Sequence, residues 1–232
     1  MTERFRQIIS GCPVILGHRG SPHHARENTV ESFLLALEEG ADGVELDVQP
    51  TRDGVPVVFH DDELPSGEVL ASLTLKDLKD AAQRSNVHVH ELDEVLRVLS
   101  GKGFVNIELK HTGLEETCLE IARDIMPQET FLFSSFLPDV VKRIRALASD
   151  IPAILIVGEN GHLEQTLQIA RACDASGIAF YYELIDEELA AFFQRETLPL
   201  FTWTVNDPVE AKRLIGLGVC GIITDRPGAL RV

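Results

Sequence analysis

Two histidines stand where short apolar runs of the chain end. His18 follows the run Val14-Gly17 and precedes Arg19, and His60 closes the run that begins at Val55. An imidazole can accept or donate a proton near neutral pH, and a guanidinium can bind an anion through two N–H groups. These residue types predict acid–base chemistry on an anionic substrate, although a lone His18 is more often a hydrogen-bonded structural residue.

Two other apolar runs carry charged residues at alternating positions. Glu45 and Asp47 lie in one run, and Glu108 and Lys110 lie in a later one. Because side chains alternate between the faces of a strand, each pair projects to one side. Gathered carboxylates repel one another, and a divalent cation with oxygen ligands relieves that repulsion. The spacing therefore predicts a metal site, with Lys110 available to a phosphate oxygen. Simple ion pairs with neighbouring Lys or Arg are the alternative.

The elements that must position these residues are apolar runs rich in Val and Ile, which alternate with amphipathic stretches along the chain. Such alternation predicts βαβ units and a parallel sheet. About eight units plus the extra strand Val55-Phe59 favour a closed (β/α)8 TIM barrel, with an open doubly wound sheet as the alternative. In a barrel the loops after the strands share one face, so these residues would meet there. The predicted strands are Val14-Gly17, Gly43-Val48, Val55-Phe59, Phe104-Leu109, Thr130-Phe133, Ala153-Val157, Gly177-Phe180, Leu200-Thr204 and Gly221-Thr224, and the predicted helices are Thr29-Glu39, Leu92-Leu99, Leu114-Ile125, Pro138-Ala148, Leu163-Ala172, Asp186-Arg195 and Pro208-Leu217.

The length of 232 residues and the absence of a Ser-, Gly- or Pro-rich linker predict a single domain over residues 1–232. The least regular stretch is Asp61-Val89, where charges and a short apolar pattern predict a loop with one small helix. We expect this stretch, about residues 61–90, to be a short insertion after the second barrel strand.

The composition excludes several functions. A formal net charge of −16 disfavours nonspecific binding to nucleic acid or to an anionic membrane. No apolar stretch approaches the ~20 residues that span a bilayer, and the N-terminus has no run of signal-peptide length. The four cysteines show no CxxC spacing and are expected to be reduced thiols, which is typical of a cytoplasmic protein. They lie at positions 12, 118, 173 and 220.

Seven short motifs occur in an order that resembles the signature of the glycerophosphodiester phosphodiesterases. The likeness runs from about residue 14 to residue 228, which is nearly the whole chain. The motifs are His18-Arg19-Gly20, Glu27-Asn28-Thr29, Glu45-Leu46-Asp47-Val48, His60-Asp61, Glu108-Leu109-Lys110, Trp203-Thr204-Val205-Asn206 and Gly221-Ile222-Ile223-Thr224-Asp225-Arg226-Pro227.

The resemblance implies a (β/α)8 barrel that cleaves small glycerophosphodiesters to an alcohol and sn-glycerol 3-phosphate. In the mechanism proposed for the family, a glycerol hydroxyl attacks phosphorus and water then opens the cyclic phosphate. The implied site comprises ligands of Mg²⁺ or Ca²⁺ (Glu45, Asp47 and Glu108), a general acid–base pair (His18 and His60) and phosphate-binding cations (Arg19 and Lys110).

Some features depart from the family pattern or leave a choice open. Arg26 stands where the family usually has Pro, and the stretch Asp62-Gly67 is abbreviated, so the preferred alcohol is not determined. Trp203 ends a predicted strand, where it would either stack on an alcohol group of the substrate or fill the top of the barrel. The sequence also does not determine the native metal or the oligomeric state, and a homo-oligomer is compatible with it.

Two other functions are compatible with the same residues. One is a phospholipase D-like phosphodiesterase or lyase that acts on lysophospholipids or another phosphodiester, or that stops at a cyclic phosphate. The lack of an apolar or basic membrane-docking segment argues against a bilayer as its substrate. The other is a catalytically silent metal- or phosphate-binding module. A binder needs no proton shuttle, so the presence of both His18 and His60 argues against it.

Overall fold

Eight parallel strands close into a barrel in a computed structural model of the protein, which describes residues 13–230. The order around the barrel is β1-β10-β9-β8-β7-β6-β5-β2, and pairing of β1 with β2 closes the ring. The predicted (β/α)8 TIM barrel is thus confirmed, and the open sheet is excluded. The strands are β1 Val14–His18, β2 Gly43–Pro50, β3 Pro56–Val58, β4 His90–Glu91, β5 Phe104–Leu109, β6 Phe131–Ser135, β7 Ala153–Val157, β8 Gly177–Tyr181, β9 Leu200–Trp203 and β10 Gly221–Thr224.

Helices follow the barrel strands and cover their outer face. The caps follow from the sequence, because the side chains of Thr29, Asp186 and Asp207 each accept a hydrogen bond from a backbone N–H of the first helical turn. After β10 the described chain forms only a 3₁₀ turn, Pro227–Ala229. The helices are α1 Val30–Glu38, α2 Leu75–Arg84, α3 Leu92–Leu99, α4 Glu115–Ile125, α5 Pro138–Leu147, α6 Leu163–Ala172, α7 Glu187–Arg195 and α8 Pro208–Gly216.

The strand register sets the height of each side chain in the barrel. His18 lies opposite Glu45 across β1 and β2, and Asp47 lies opposite Glu108 across β2 and β5. The alternating outward residues, such as Leu46, are fully buried beneath the helices and belong to the main apolar core. This alternation leaves the charged residues of β1, β2 and β5 pointing into the barrel near its carboxyl end.

The segment between β2 and α3 lies outside the ring of barrel strands. Strand β3 pairs antiparallel with β2, and β4 pairs antiparallel with β3. The predicted strand Val55-Phe59 is therefore a hairpin arm outside the ring, and the small helix predicted within Asp61-Val89 is α2. A separate apolar cluster holds the segment together; it comprises Val57, Leu64, Leu70, Leu78, Ala81, Ala82 and Val87.

Three cysteines lie within the described residues, and all three are free thiols: Cys118, Cys173 and Cys220. Cys12 lies outside the described residues, and so does the N-terminal stretch in which no signal sequence is expected. The single domain over residues 1–232 therefore stays a prediction. Within residues 13–230, none of the helices combines the length and apolar character needed to cross a bilayer.

Candidate active site

A cavity of about 120 Å³ opens at the carboxyl ends of the barrel strands. All eight residues predicted to form the site line this one cavity: His18, Arg19, Glu45, Asp47, His60, Glu108, Lys110 and Trp203. Active sites of this fold form at this end of the barrel, where loops from successive strands converge. The structure therefore brings the predicted residues together, and their individual roles remain predictions.

Three buried carboxylates form the centre of the site. Glu45, Asp47 and Glu108 each offer an oxygen, and these oxygens lie within 4.8 Å of one another. Their residues are 2%, 1% and 8% exposed, so water does little to screen the repulsion between them. Hard divalent cations bind such sets of oxygen ligands, which makes the cluster suitable for Mg²⁺ or Ca²⁺.

Of the three carboxylates, Glu45 is the one whose negative charge is offset least by neighbouring groups. Its Oε2 accepts a hydrogen bond of 3.0 Å from the backbone N–H of Arg19, whereas its buried Oε1 has no hydrogen-bond partner among the described residues. Burial, together with the charges of Asp47 and Glu108, raises the pKa of Glu45 well above its usual range. An unpaired, buried carboxylate oxygen that faces two further carboxylates fits a cation ligand.

Two cations partly neutralise the other acids. Lys110 Nζ lies 3.0 Å from Glu108 and 3.3 Å from Asp47, and Arg19 Nε lies 3.1 Å from Asp47. Burial opposes the charge of Lys110, but Glu108 and Asp47 outweigh burial and raise its pKa. For Asp47, burial raises the pKa, and Lys110 and Arg19 outweigh it, so the pKa is lowered overall. For Glu108, burial and Asp47 prevail over Lys110 and raise the pKa.

The loop after β1 wraps around this cluster. Arg19 and Asn28 both have positive φ angles, 53° and 55°, which turn the loop back over the strand ends. The buried Asn28 donates from Nδ2 to Asp47 Oδ2 at 2.8 Å and accepts from the Asp47 backbone N–H at 3.3 Å. The guanidinium of Arg19 also binds Glu27 at 3.1 Å. The first loop and the β2 acids thus form one hydrogen-bonded unit.

His18 is held by the carboxylate of Asp225, the residue that follows the last strand of the barrel, β10. Its Nδ1 lies 2.7 Å from Asp225 Oδ1, and Asn206 donates to the other oxygen of Asp225 at 2.7 Å. The Asn206 side chain also accepts from the Asp225 backbone N–H at 2.8 Å, which fixes the Asp225 loop. A carboxylate at Nδ1 favours a proton on that atom and leaves Nε2 of His18 available to a ligand.

His60 has a similar but more exposed arrangement. Its Nδ1 lies 2.6 Å from Asp61 Oδ1. The buried Gln49 donates to the backbone carbonyl of His60 at 2.8 Å and to Asp62 at 3.1 Å, and so ties the loop to β2. Both histidines on the cavity therefore have a carboxylate partner at Nδ1.

Aromatic side chains line the opposite side of the cavity. Trp203 Nε1 donates to the Ala179 carbonyl at 3.2 Å, and the Trp203 ring meets that of Phe136 edge-to-face at 5.4 Å between centroids. The hydrogen bond fixes the indole while its ring lines the cavity. Trp203 thus both packs at the top of the barrel and faces the site.

Sequence reasoning gave no role to several residues that support the site. Three of them lie in the family motifs: Asp225, Asn206 and Asn28. Their contacts join positions far apart in the chain, since His18 and Asp225 are 207 residues apart. Gln49 carried no signal beyond its position on the same face of β2 as Glu45 and Asp47.

The family model described as the glycerophosphoryl diester phosphodiesterase family matches residues 18–229 of the chain. The chain belongs to this family. A glycerophosphodiester phosphodiesterase of Caldanaerobacter subterraneus is 33% identical over 94% of this chain and 96% of its own length. One from Bacillus altitudinis is 30% identical over 92% of this chain and 94% of its own. Family membership confirms the prediction of an enzyme that hydrolyses phosphodiesters.

Solved structures of family members share the fold over nearly the whole chain. An Oleispira antarctica phosphodiesterase, solved in complex with the product sn-glycerol-3-phosphate, is 28% identical with a TM-score of 0.85, and the match covers 97% of both chains. A Thermotoga maritima glycerophosphodiester phosphodiesterase is also 28% identical, with a TM-score of 0.80 over 93% of this chain and 96% of that one.

Proposed function

We propose that this protein is a metal-dependent hydrolase of glycerophosphodiesters, which releases sn-glycerol 3-phosphate and an alcohol by acid–base catalysis at His18 and His60. The observation that carries the proposal is the arrangement of two carboxylate-bound imidazoles around one buried three-carboxylate cluster. The product bound in the Oleispira antarctica relative supports the choice of substrate class.

Glu45, Asp47 and Glu108 would hold the divalent cation, and the unpaired Glu45 Oε1 supports this assignment. A bound Mg²⁺ or Ca²⁺ would polarise a phosphoryl oxygen and attract the anionic substrate. This local positive charge is needed because the chain as a whole carries a net charge of −16.

Arg19 and Lys110 would orient the phosphate. Lys110 lies at the carboxylate cluster and lines the cavity, so its ammonium group can donate to a phosphate oxygen without leaving Glu108. Arg19 is anchored by Glu27 and Asp47, which fixes the plane of its guanidinium at the cavity wall. Fixed donors of this kind place the phosphorus for attack and stabilise charge that develops on its oxygens.

The two histidines would move the protons. With Nδ1 bound to Asp225 or Asp61, each ring presents Nε2, which accepts a proton in the neutral form and donates one in the imidazolium form. One histidine takes the proton from the attacking oxygen, and the other protonates the leaving alcohol. Each such transfer typically contributes ~10²–10⁴-fold to the rate.

A cytoplasmic location belongs to the same proposal and rests on the cysteine usage of the sequence. The expected partner is the small-molecule substrate alone, with no nucleic acid or membrane involved. A homo-oligomer remains a prediction that a sedimentation measurement would decide.

The test is release of glycerol 3-phosphate from glycerophosphocholine and from glycerophosphoglycerol by metal-stripped protein, with and without added Mg²⁺ or Ca²⁺. We expect metal-dependent release, and we expect His18→Ala and Glu45→Ala to abolish it. His88→Ala is the matched control, because His88 is exposed and lies in the β2–α3 segment away from the cavity. Failure of every metal to support release from either diester would refute the proposal.

The same reactions distinguish hydrolysis from the lyase alternative. A phosphorus NMR spectrum of the products shows glycerol 3-phosphate for a complete hydrolase. Accumulation of a cyclic phosphate instead would identify an enzyme that stops after the first displacement.

A further inference from the structure

The mouth of the barrel has two chemically different halves. The half formed by β1, β2, β5 and the loop after β3 carries the histidines, the acid cluster, Arg19 and Lys110. The half formed by β6 to β9 contributes aromatic rings at its rim, together with the loops that follow those strands. The proposed chemistry uses the first half, apart from Trp203, and leaves the second half without an assigned role.

Four aromatic rings form a continuous chain along this second half. Phe136 follows β6 and contacts Trp203 at the end of β9, with 5.4 Å between ring centroids. Trp203 contacts Tyr181 at the end of β8 at 5.7 Å, and Tyr181 contacts Tyr182 at 5.1 Å. Phe136 is 43% exposed, so its ring is accessible to a ligand. Phe136 and Trp203 line the cavity, and Tyr181 extends their aromatic surface outward from it.

Carboxylates accompany these rings. The Tyr182 hydroxyl donates to Glu183 at 3.0 Å. The pKa of Tyr181 is raised by partial burial, by the hydrogen bond and charge of Glu183, and by the charge of Glu159. Both acids therefore lie near Tyr181, and both are exposed.

The loops of this half contain no basic residue other than one histidine. Residues 136–137, 158–162, 182–186 and 204–207 include four acidic residues and neither Lys nor Arg. Two of the four acids, Asp186 and Asp207, are used as helix caps for α7 and α8. Glu159 and Glu183 remain as the acids that can contribute to binding at the rim.

A groove of about 340 Å³ provides room next to the cavity on this side. Phe136 and Ile156 line both spaces, so the groove adjoins the catalytic cavity directly. Glu159 lines the groove, and the described residues around it include no Lys or Arg. A substituent on a phosphate bound in the cavity can extend into the groove past Phe136.

We infer that this rim, formed by Phe136, Trp203, Tyr181, Glu159 and Glu183, binds the leaving alcohol and selects alcohols that carry a cationic ammonium group. Aromatic faces attract quaternary ammonium ions through their quadrupole, and nearby carboxylates add to the attraction. The phosphate of such a zwitterionic substrate meets Arg19 and Lys110, while its ammonium group meets the acidic rim. An uncharged alcohol gains only apolar contact, and a second anionic group is repelled by the acids.

This inference rests on the proposed function, and its test uses two substrates so that the failure of each can be told apart. The metal-loaded full-length protein is assayed with glycerophosphocholine and glycerophosphoglycerol, which differ in the charge of the alcohol. We expect kcat/KM to be roughly tenfold higher for the choline ester, because cation–aromatic and carboxylate contacts of this kind contribute about that factor.

Glu159→Gln is the decisive variant, since Glu159 lines the groove and glutamine keeps its size and removes its charge. We expect it to lower the ratio of kcat/KM for choline over glycerol esters about threefold to fivefold, through KM for the choline ester. Glu188→Gln removes the same charge from an exposed position on α7 and should leave the ratio unchanged. Tyr181→Leu should lower the ratio as well, by removing a ring from the chain.

The outcomes distinguish failure of the rim from failure of the proposed function. Equal kcat/KM for the two esters, or a Glu159→Gln ratio that matches that of Glu188→Gln, overturns the inference of a cation-binding rim while the proposed hydrolase stands. Cleavage of neither ester overturns the proposed function and the inference with it. A choline preference that Glu159→Gln and Tyr181→Leu both reduce supports the rim as the determinant of specificity.

Discussion

Replacing Glu45 with Gln is expected to stabilise the metal-free protein and to remove its response to metal. The wild-type carboxylate lies in a buried cluster with Asp47 and Glu108, and it has an oxygen without a hydrogen-bond partner among the described residues. Glutamine has nearly the same shape. Its carbonyl can still accept from the Arg19 backbone N–H, which now donates at 3.0 Å, and its amide can donate to a neighbouring carboxylate.

The size of the effect follows from the spacing of the charges. At the 4.8 Å upper limit between ligand oxygens, a like-charge pair repels by about 3.5 kcal/mol at an effective dielectric constant of about 20. Arg19 and Lys110 offset part of this repulsion. We therefore expect the free energy of unfolding to rise by about 1–3 kcal/mol, which corresponds to a Tm increase of roughly 2–10 °C for a chain of this size.

The gain in the free energy of unfolding from Glu45→Gln should depend on pH. The pKa of Glu45 is raised in the folded state by burial and by Asp47 and Glu108, so folding favours its protonated form. The stability that the neutral carboxyl contributes is fully present below its unfolded pKa, about 4.3, and is lost as pH rises through the higher folded pKa. Glutamine stays neutral throughout, so the advantage of Glu45→Gln is small near pH 4 and grows as pH rises.

The assay is thermal and urea-induced unfolding in EDTA at acidic and alkaline pH, repeated with Mg²⁺ and Ca²⁺. Glu108→Gln serves as the comparison, because it removes a carboxylate that Lys110 binds at 3.0 Å and should gain less stability or lose some. The reasoning is refuted if Glu45→Gln is less stable than wild type in EDTA at pH 8. It is also refuted if metal raises the Tm of Glu45→Gln as much as that of wild type.

Three further changes test the parts of the site and the barrel. Asp225→Asn removes the negative charge that lies 2.7 Å from His18 Nδ1. It should lower kcat roughly 10²-fold or more, with a smaller change in KM. An altered pH dependence of kcat would exclude a purely structural effect. Gln49→Leu removes the 2.8 Å bond to the His60 carbonyl; it should destabilise the protein by about 1–3 kcal/mol and lower kcat, as urea unfolding and kinetics would show. Gly43→Ala places a Cβ 2.1 Å from a β5 carbonyl oxygen and should destabilise the barrel by about 1–3 kcal/mol or more in urea unfolding, whereas an unchanged midpoint would contradict this close approach.

The barrel was predictable from the sequence because its signals are local. Apolar runs gave the strands, and caps such as Thr29 gave the helix starts. The apolar run of β3 does not by itself show whether its partner is parallel or antiparallel; the signal for the antiparallel hairpin is the Asp53-Gly54 turn between β2 and β3. Strand β4 has only two residues, His90–Glu91, and exists because β3 is there to pair with it.

The site was predictable as a set of residue types and only partly as a set of contacts. The alternation of a strand placed Glu45 and Asp47 on one face, and that local rule needs no tertiary knowledge. The opposition of Asp47 and Glu108 depends on the register between β2 and β5, which the sequence does not state. The pairing of His18 with Asp225 depends on closure of the whole barrel, which brings its first and last strands together.

The charge balance of the buried site bears on how many cations it can hold. Glu45, Asp47 and Glu108 bring three negative charges, and Arg19 and Lys110 return two positive ones, so the cluster is left with one excess negative charge. Glu45 is the least neutralised of the three, and burial together with the charges of Asp47 and Glu108 raises its pKa well above the usual range. One divalent cation would convert the excess to a single positive charge, which matches the single negative charge of a phosphodiester. A second divalent cation would exceed this match, and the site offers no further buried carboxylate to compensate it among the described residues. This charge balance therefore favours a site with one metal ion, whose remaining positive charge the substrate phosphate would neutralise.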